Sequence, residues 1–161
     1  MLIRNIFFLL LLAPMFVLAQ QTPLSIQSSS EGFYLNHSVG AKENYYSIGR
    51  LYNISPKEIA PFNNLELEKG LSLGQTVKIP LIENNFTQGN TQGAGEALVP
   101  VYHMVKEKES LTQISALYNK IPVESLRSWN KLKGETLSAG GKVIVGYLRV
   151  NPELSALASG K

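Results

Sequence analysis

Residues 37–80 of this chain superimpose on residues 103–146 without a gap, at an offset of 66. The identical pairs include His37/His103, Val39/Val105, Lys42/Lys108, Glu43/Glu109, Ile48/Ile114, Tyr52/Tyr118, Pro56/Pro122 and Gly74/Gly140. Fifteen of the 44 positions agree, where composition alone would give about 3. A one-residue slip in the middle extends the match, placing Phe62-Asn63-Asn64-Leu65 on Trp129-Asn130-Lys131-Leu132. The chain therefore carries two copies of one small fold. A unit of about 45 residues is near the lower limit for a core without covalent staples, and the chain has no cysteine. Each copy should be compact and only modestly stable.

Both copies give the same local pattern. Leu35, His37 and Val39 alternate like a short strand, as do Val101, His103 and Val105. Asn44 and Ser110 offer helix N-caps, and behind them Tyr45, Ile48, Leu51 and Tyr52, or Leu111, Ile114, Leu117 and Tyr118, recur at helical spacing. Ser55-Pro56-Lys57-Glu58 announces a second helix through a capping box with proline at the first helical position, and its counterpart opens at Pro122. Pro61 should shorten or distort that helix in the first copy. Val77, Ile79 and Leu81, or Val143 and Val145, close each unit as a strand after a glycine turn at Gly74 or Gly140. The predicted fold is α+β, with two small β-α-α-β domains at 33–82 and 99–150.

The remaining segments have distinct compositions. Arg4, the apolar run from Ile6 to Leu12 and the Val17-Leu18-Ala19 boundary predict a signal peptide over 1–19, removed before Gln20. That run is too short to span a bilayer, so no membrane span is expected after its removal. Residues 20–32 are polar and predicted disordered, residues 83–98 (rich in Asn, Gln, Thr and Gly) read as a flexible linker, and 151–161 as a frayed tail. An exported chain without cysteine carries no disulfide and no lipid-bearing cysteine, and the family resemblance set out below then implies a bacterial periplasm or cell surface. There Asn36-His37-Ser38, Asn53-Ile54-Ser55 and Asn85-Phe86-Thr87 are coincidental matches to a glycosylation sequon.

At this point the residues resemble the LysM family. The resemblance runs through His103, Val105, Lys108-Glu109-Ser110-Leu111, Ile114-Ser115, Tyr118, Asn130-Lys131-Leu132, Leu137, Gly140 and Val145. In the first copy it runs through His37, Val39, Lys42-Glu43-Asn44-Tyr45, Ile48-Gly49, Tyr52, Asn63-Asn64-Leu65, Leu71, Gly74-Gln75 and Ile79-Pro80. The family's Gly-Asp-Thr has become Lys-Glu-Asn and Lys-Glu-Ser, replacing a glycine by lysine in each first loop. The second copy has Gly140-Gly141 in place of Gly-Gln, and Gly146 where proline is usual. The resemblance implies two helices on one face of a two-stranded sheet. It also implies a shallow groove for N-acetylglucosamine chains between the first strand-to-helix loop and the second helix-to-strand loop. Carried over by position, the groove residues are Lys42, Glu43, Asn44 and Tyr45 with Leu65, Glu66 and Leu67. In the second copy they are Lys108, Glu109, Ser110 and Leu111 with Leu132, Lys133 and Gly134. Peptidoglycan and chitin-like backbones are neutral, so such a groove works through backbone hydrogen bonds and small apolar pockets.

Other chemistry finds little support in the residues. His37 and His103 occupy one repeat position each, so a structural role in the strand is favoured over catalysis. Glu43 and Glu109 either touch sugar or complement a helix dipole. Tyr45 and Tyr46 could stack on sugar, but Tyr45 aligns with Leu111, a core position; Trp129, aligned with Phe62, is read as core. No carboxylate pair among the 12 glutamates is marked for glycoside hydrolysis, and two distant histidines make no metal site. The chain is expected to be non-enzymatic and to need no cofactor. A net charge of +3 without a basic cluster does not indicate nucleic acid. The expected partner is peptidoglycan or a chitin-like glycan. The alternatives are an adaptor that places a protein partner at the envelope, and an accessory subunit of a cell-wall hydrolase.

Overall fold

The computed structural model of the chain describes residues 23–159 apart from Asn90 and Glu135. The expected signal peptide and the Gln20 boundary lie outside these residues. Ahead of the first repeat comes β1 (Ile26–Ser29). The first module then consists of β2 (Gly32–Ser38), α1 (Tyr45–Tyr52), α2 (Pro56–Phe62) and β3 (Thr76–Pro80). A short strand, β4 (Phe86–Thr87), precedes the second module, which comprises β5 (Ala97–Met104), α3 (Leu111–Leu117), α4 (Val123–Asn130) and β6 (Lys142–Val150). The β-α-α-β order is thus present twice. Each sheet is antiparallel and has three strands, in the orders β1-β2-β3 and β4-β6-β5.

Local chemistry accounts for the helices. Asn44 accepts from the amides of Tyr46 and Ser47, and Ser47 returns a bond to the Asn44 amide. Ser110 and Gln113 form the same reciprocal box at α3. Tyr45, Ile48 and Tyr52, and likewise Leu111, Ile114 and Tyr118, bury one stripe of each helix. Leu117, expected in that core, is instead 41% exposed, because it falls outside the stripe. At α2, Ser55 caps the amide of Lys57 and Pro56 opens the helix, while Glu58 stands in the first turn without completing a box. The helix α2, with Pro61 inside it, has seven residues and α4 has eight. The N-caps Ser55 and Pro122 already stand at an offset of 67, so the one-residue slip lies in the turn before these helices, where Asn53 is left-handed in the first copy and both Asn119 and Lys120 in the second.

Three segments expected to be loose are built into the fold. Leu24 and Ile26 are apolar residues in the polar stretch 20–32. Ile26 is buried, and β1 pairs with β2 along its length. Residues 83–98 do not behave as a simple flexible linker. Asn85 is fully buried, its side chain accepting from the Ile82 amide and donating to the Pro80 carbonyl. Its own carbonyl receives the amide of Arg149. Phe86 then lies over Gly146, where an added Cβ would stand 2.5 Å from the phenyl ring. The glycine that replaces the usual proline at 146 therefore makes the space in which β4 docks on β6. The tail 151–161 turns into a short 3-10 segment at Ala156–Ser159, and the Ser155 hydroxyl donates to the Leu51 carbonyl at the end of α1.

These segments join the modules. The amide of Tyr102 donates to Leu24 at 2.8 Å, and Ser25 forms a parallel bridge to Tyr102. The contact falls at the β5 bulge between Val101 and Tyr102. Phe33 of the first module stacks on Tyr118 of the second, with centroids 5.1 Å apart. Gln88 donates to the Tyr118 carbonyl. The buried apolar residues of both modules form one continuous cluster. Gly146→Ala should therefore displace β4 and destabilise the protein by about 1–3 kcal/mol through overpacking. Chemical denaturation measures the loss, and hydrogen exchange at Phe86 and Thr87 reports release of the strand.

Candidate functional site

Each module presents two adjacent loops at one end of its sheet. The first runs from the end of the opening strand to the N-cap, through Gly40–Glu43 or Lys106–Glu109. Each is a turn closed by the amide of Glu43 on the Gly40 carbonyl, or of Glu109 on the Lys106 carbonyl, both at 3.3 Å. Its third residue is Lys42 with φ of 66° or Lys108 with φ of 60°. These are the positions where the resemblance expects glycine, and the lysines adopt the left-handed backbone that glycine would take. The turn survives the substitution. The second loop begins at Asn63 or Asn130 and returns through Gly74 or Gly140. The amide of Gly74 donates to Val39, and that of Gly140 to Val105, both at 2.8 Å, so the two loops are hydrogen-bonded neighbours.

A polar brace, partly buried in the first module and more deeply in the second, holds the first loop in shape. The Oε2 atom of Glu43 lies 2.7 Å from both His37 Nε2 and the Gly40 amide. His37 Nδ1 lies 3.0 Å from the Tyr52 hydroxyl. The second module repeats the arrangement: Glu109 Oε2 is 2.7 Å from His103 Nε2 and 2.9 Å from the Lys106 amide, and His103 Nδ1 is 2.8 Å from the Tyr118 hydroxyl. In this pattern the Nε2–H group donates to the carboxylate, while Nδ1 pairs with the phenol hydroxyl. Burial alone would push both carboxyls up. The backbone amide, the histidine bond and the histidine's charge outweigh it, so Glu43 and Glu109 sit below their ordinary value. Burial, reinforced by the Glu43 charge, pushes the Tyr52 phenol up to about 12, and Tyr118 moves in the same direction. Both phenols thus remain donors over the physiological range.

A second device fixes the other loop. The Asn63 side chain donates to the Ile59 and Lys78 carbonyls and accepts from the Lys78 amide. Asn130 makes the same three bonds, to Leu126, Ile144 and the Ile144 amide. One asparagine thereby ties the end of the second helix to the closing strand. The equivalence of Asn63 with Asn130 also vindicates the slipped alignment.

The predicted groove residues divide by environment. Lys42, Asn44, Glu66, Lys108, Ser110, Lys133 and Gly134 are exposed on the loops. Leu65, Leu67 and Leu132 are half-buried and pack against the core. Tyr45 and Leu111 are buried beneath the first turn of their helices, so their side chains belong to the core and not to a groove surface. Glu43 and Glu109 turn inward and act as braces in place of either role foreseen for them. Trp129 is half-buried, packed edge-on against Tyr147 at 5.6 Å. The contributions of Tyr52 and Tyr118 to the brace went unrecognised in the sequence, although their identity in both copies was the available signal. Among the described residues no His, Asp or Glu cluster could hold a metal ion, and no helix is long and apolar enough to cross a membrane.

Two outcomes follow from this geometry. A carboxyl with a lowered folded-state pKa stabilises the protein above its unfolded value of about 4.3, and that contribution is lost as pH falls through the folded value. Denaturation curves from pH 7 to pH 2 should show this acid loss, and the Glu43→Gln/Glu109→Gln variant should show a flatter profile. Lys42→Gly and Lys108→Gly should each stabilise the protein, by about 0.5–1 kcal/mol, because glycine relieves the left-handed lysine at a smaller entropic cost. Urea midpoints measure that gain.

Known proteins carry the same pattern. The LysM domain family model matches residues 37–80 and 103–146, together more than half of the chain. An autolysin of Enterococcus faecalis (strain ATCC 700802 / V583) is 28% identical over 126 residues, which cover 74% of this chain and 16% of the autolysin. The chain thus spans a small part of that relative's length. The spore cortex-lytic enzyme SleL of Bacillus cereus matches 70% of this chain and 22% of its own, at 26% identity and a TM-score of 0.34. With two loop pairs of one geometry, and the family pattern matched over both, the chain belongs to the LysM family of glycan-binding modules.

Proposed function

We propose that this protein is an exported, non-catalytic binder of N-acetylglucosamine-containing glycan in the bacterial cell envelope, with peptidoglycan as its ligand. The observation that carries the reading is the duplicated brace, which holds both first loops in the same left-handed turn despite the loss of glycine. Exposed backbone and short polar side chains on the loops suit a neutral glycan, whose amides and hydroxyls need hydrogen bonds and no ion pair. Export rests on the N-terminal signal pattern of the sequence. The non-catalytic reading rests on the loop carboxylates, each of which is occupied by a histidine and a backbone amide and so is poorly placed to exchange protons with a substrate. Loss of the loop glycines would favour the adaptor alternative only if it deformed the turn, and both turns are retained.

Binding is expected from the two modules as one body, since the docked 83–98 segment does not let them move as beads on a tether. The exposed lysines 106, 108, 131 and 133 surround the second module's loops, so an anionic polymer would favour that side. The test is co-sedimentation of protein lacking residues 1–19 with purified peptidoglycan. Most of the protein should pellet, with no soluble sugar or stem peptide released. The Glu43→Ala/Glu109→Ala variant, once shown to be folded, should be retained at least about tenfold less well. Failure of the wild type to pellet, or release of soluble fragments, would refute the assignment.

A further inference from the structure

The interlocking of the two modules creates a cleft that neither would have alone. It has a volume of about 580 Å³ and is lined by the outward flank of α1, the Asn84 segment and the residues that follow β6. None of its lining residues belongs to either binding loop. Tyr46, Arg50 and Asn53 succeed one another at spacings of four and three, so they share one face of α1 and its cap. Tyr46 is 69% exposed, and Leu154, which reaches the cleft from the far end of the chain, is 55% exposed. Neither of these large apolar surfaces is consumed by the core.

The repeat supplies an internal control. At the offset of 66, Tyr46 corresponds to Thr112 and Arg50 to Ala116. The second module thus folds the same helix with a small polar residue and a methyl at those places. The aromatic ring and the guanidinium are therefore not required by the helix or its core, and they stand only where the cleft is. Arg50 and Glu58 are both exposed and line the same cleft without forming an ion pair with each other. Asn53 and Asn84 lie together there, the Asn53 amide donating to the Asn84 carbonyl at a long 3.5 Å. A flat aromatic face rimmed by an amide, a guanidinium and a carboxylate matches a sugar ring, which offers an apolar C–H face and hydroxyls at its edge. Bonds from ionised groups to hydroxyls are stronger than neutral ones, so the unpaired charges suit a neutral polyhydroxylated ligand. The volume falls in the range of small-ligand sites, about 300–1,000 Å³.

We propose that this inter-module cleft, built on Tyr46, Arg50, Asn53, Glu58 and Asn84, is an additional saccharide-binding site for N-acetylated amino sugars. Tyr46, two residues beyond the Asn44 cap, is the lining residue nearest in sequence to the first module's loop, and the rest of the cleft follows α1 away from it. The proposal rests on the glycan reading above.

The test is an amide-resonance titration of the full protein lacking residues 1–19 with chitotetraose, compared with the Tyr46→Ala/Arg50→Ala variant. Both side chains are exposed, so the variant should melt like the wild type. In the wild type, resonances of the loops 40–44 and 63–75 should move together with those of Arg50, Asn53 and Asn84. The variant should lose the cleft shifts, keep the loop shifts and bind about fivefold more weakly. Loop shifts alone in the wild type, or equal affinity of the variant, would overturn the cleft while leaving the glycan reading intact. No shift anywhere would overturn both. Cleft shifts with a free stem tetrapeptide and none with chitotetraose would replace the saccharide by a peptide and overturn the proposal.

Discussion

An imidazole with both nitrogens engaged, half-buried in the first module and buried in the second, organises each half of this protein. One nitrogen reaches a carboxylate that also accepts a backbone amide, and the other reaches a phenol on the first helix. The opening strand, the loop and the helix are thereby tied at one point, His37 or His103. A module of this size has few apolar contacts with which to hold a loop, and an unsatisfied buried group would be costly. Complete satisfaction turns that liability into rigidity. It also explains how lysine can stand in the left-handed position of the turn: the carboxylate next to it is clamped from two sides, and the backbone has little choice.

The same shortage of core accounts for the way the modules combine. Each alone is near the smallest size that folds without covalent help. Here the arm before the first module is laid against β5, the tail after the second is fastened to α1, and the segment between them is a third strand of the second sheet. Phe33 covers the phenol of the other module's brace. Burial that a single unit cannot provide is obtained across the junction, where the second module's polar network is covered from the first.

Much of this was legible in sequence because the chain states its pattern twice. The helix stripes, the caps at Asn44 and Ser110, the glycine turns and the shortened α2 all follow from local periodicity and proline chemistry. The arm, the β4 segment and the tail did not, for a physical reason. Each contributes only one or two apolar residues (Ile26, Phe86, Leu157), set among polar neighbours, and periodicity arguments need longer runs. Their partners are also distant in sequence. Gly146 was visible as a departure from the family pattern, but its purpose depended on Phe86 lying above it. Among the candidate groove residues, position in the motif did not separate Tyr45 and Leu111, which are core, from Lys42 and Lys108, which are surface. Pairing each with its copy in the repeat did give a hint, since tyrosine and leucine exchange freely only where both can be buried.

The bond from Ser155 to Leu51 spans 104 residues, and it bears on the order in which the molecule is assembled. As the chain is made, the first module's strands and helices are available long before the groups that cover its junction surface exist. The arm at Leu24 and Ser25 waits for β5 of the second module, and the end of α1 waits longer still. Contacts between such distant residues carry the greatest loop-closure entropy and form late. The late steps of folding therefore take place at the junction, where residues made after the second module seal a surface that the first module had to leave open.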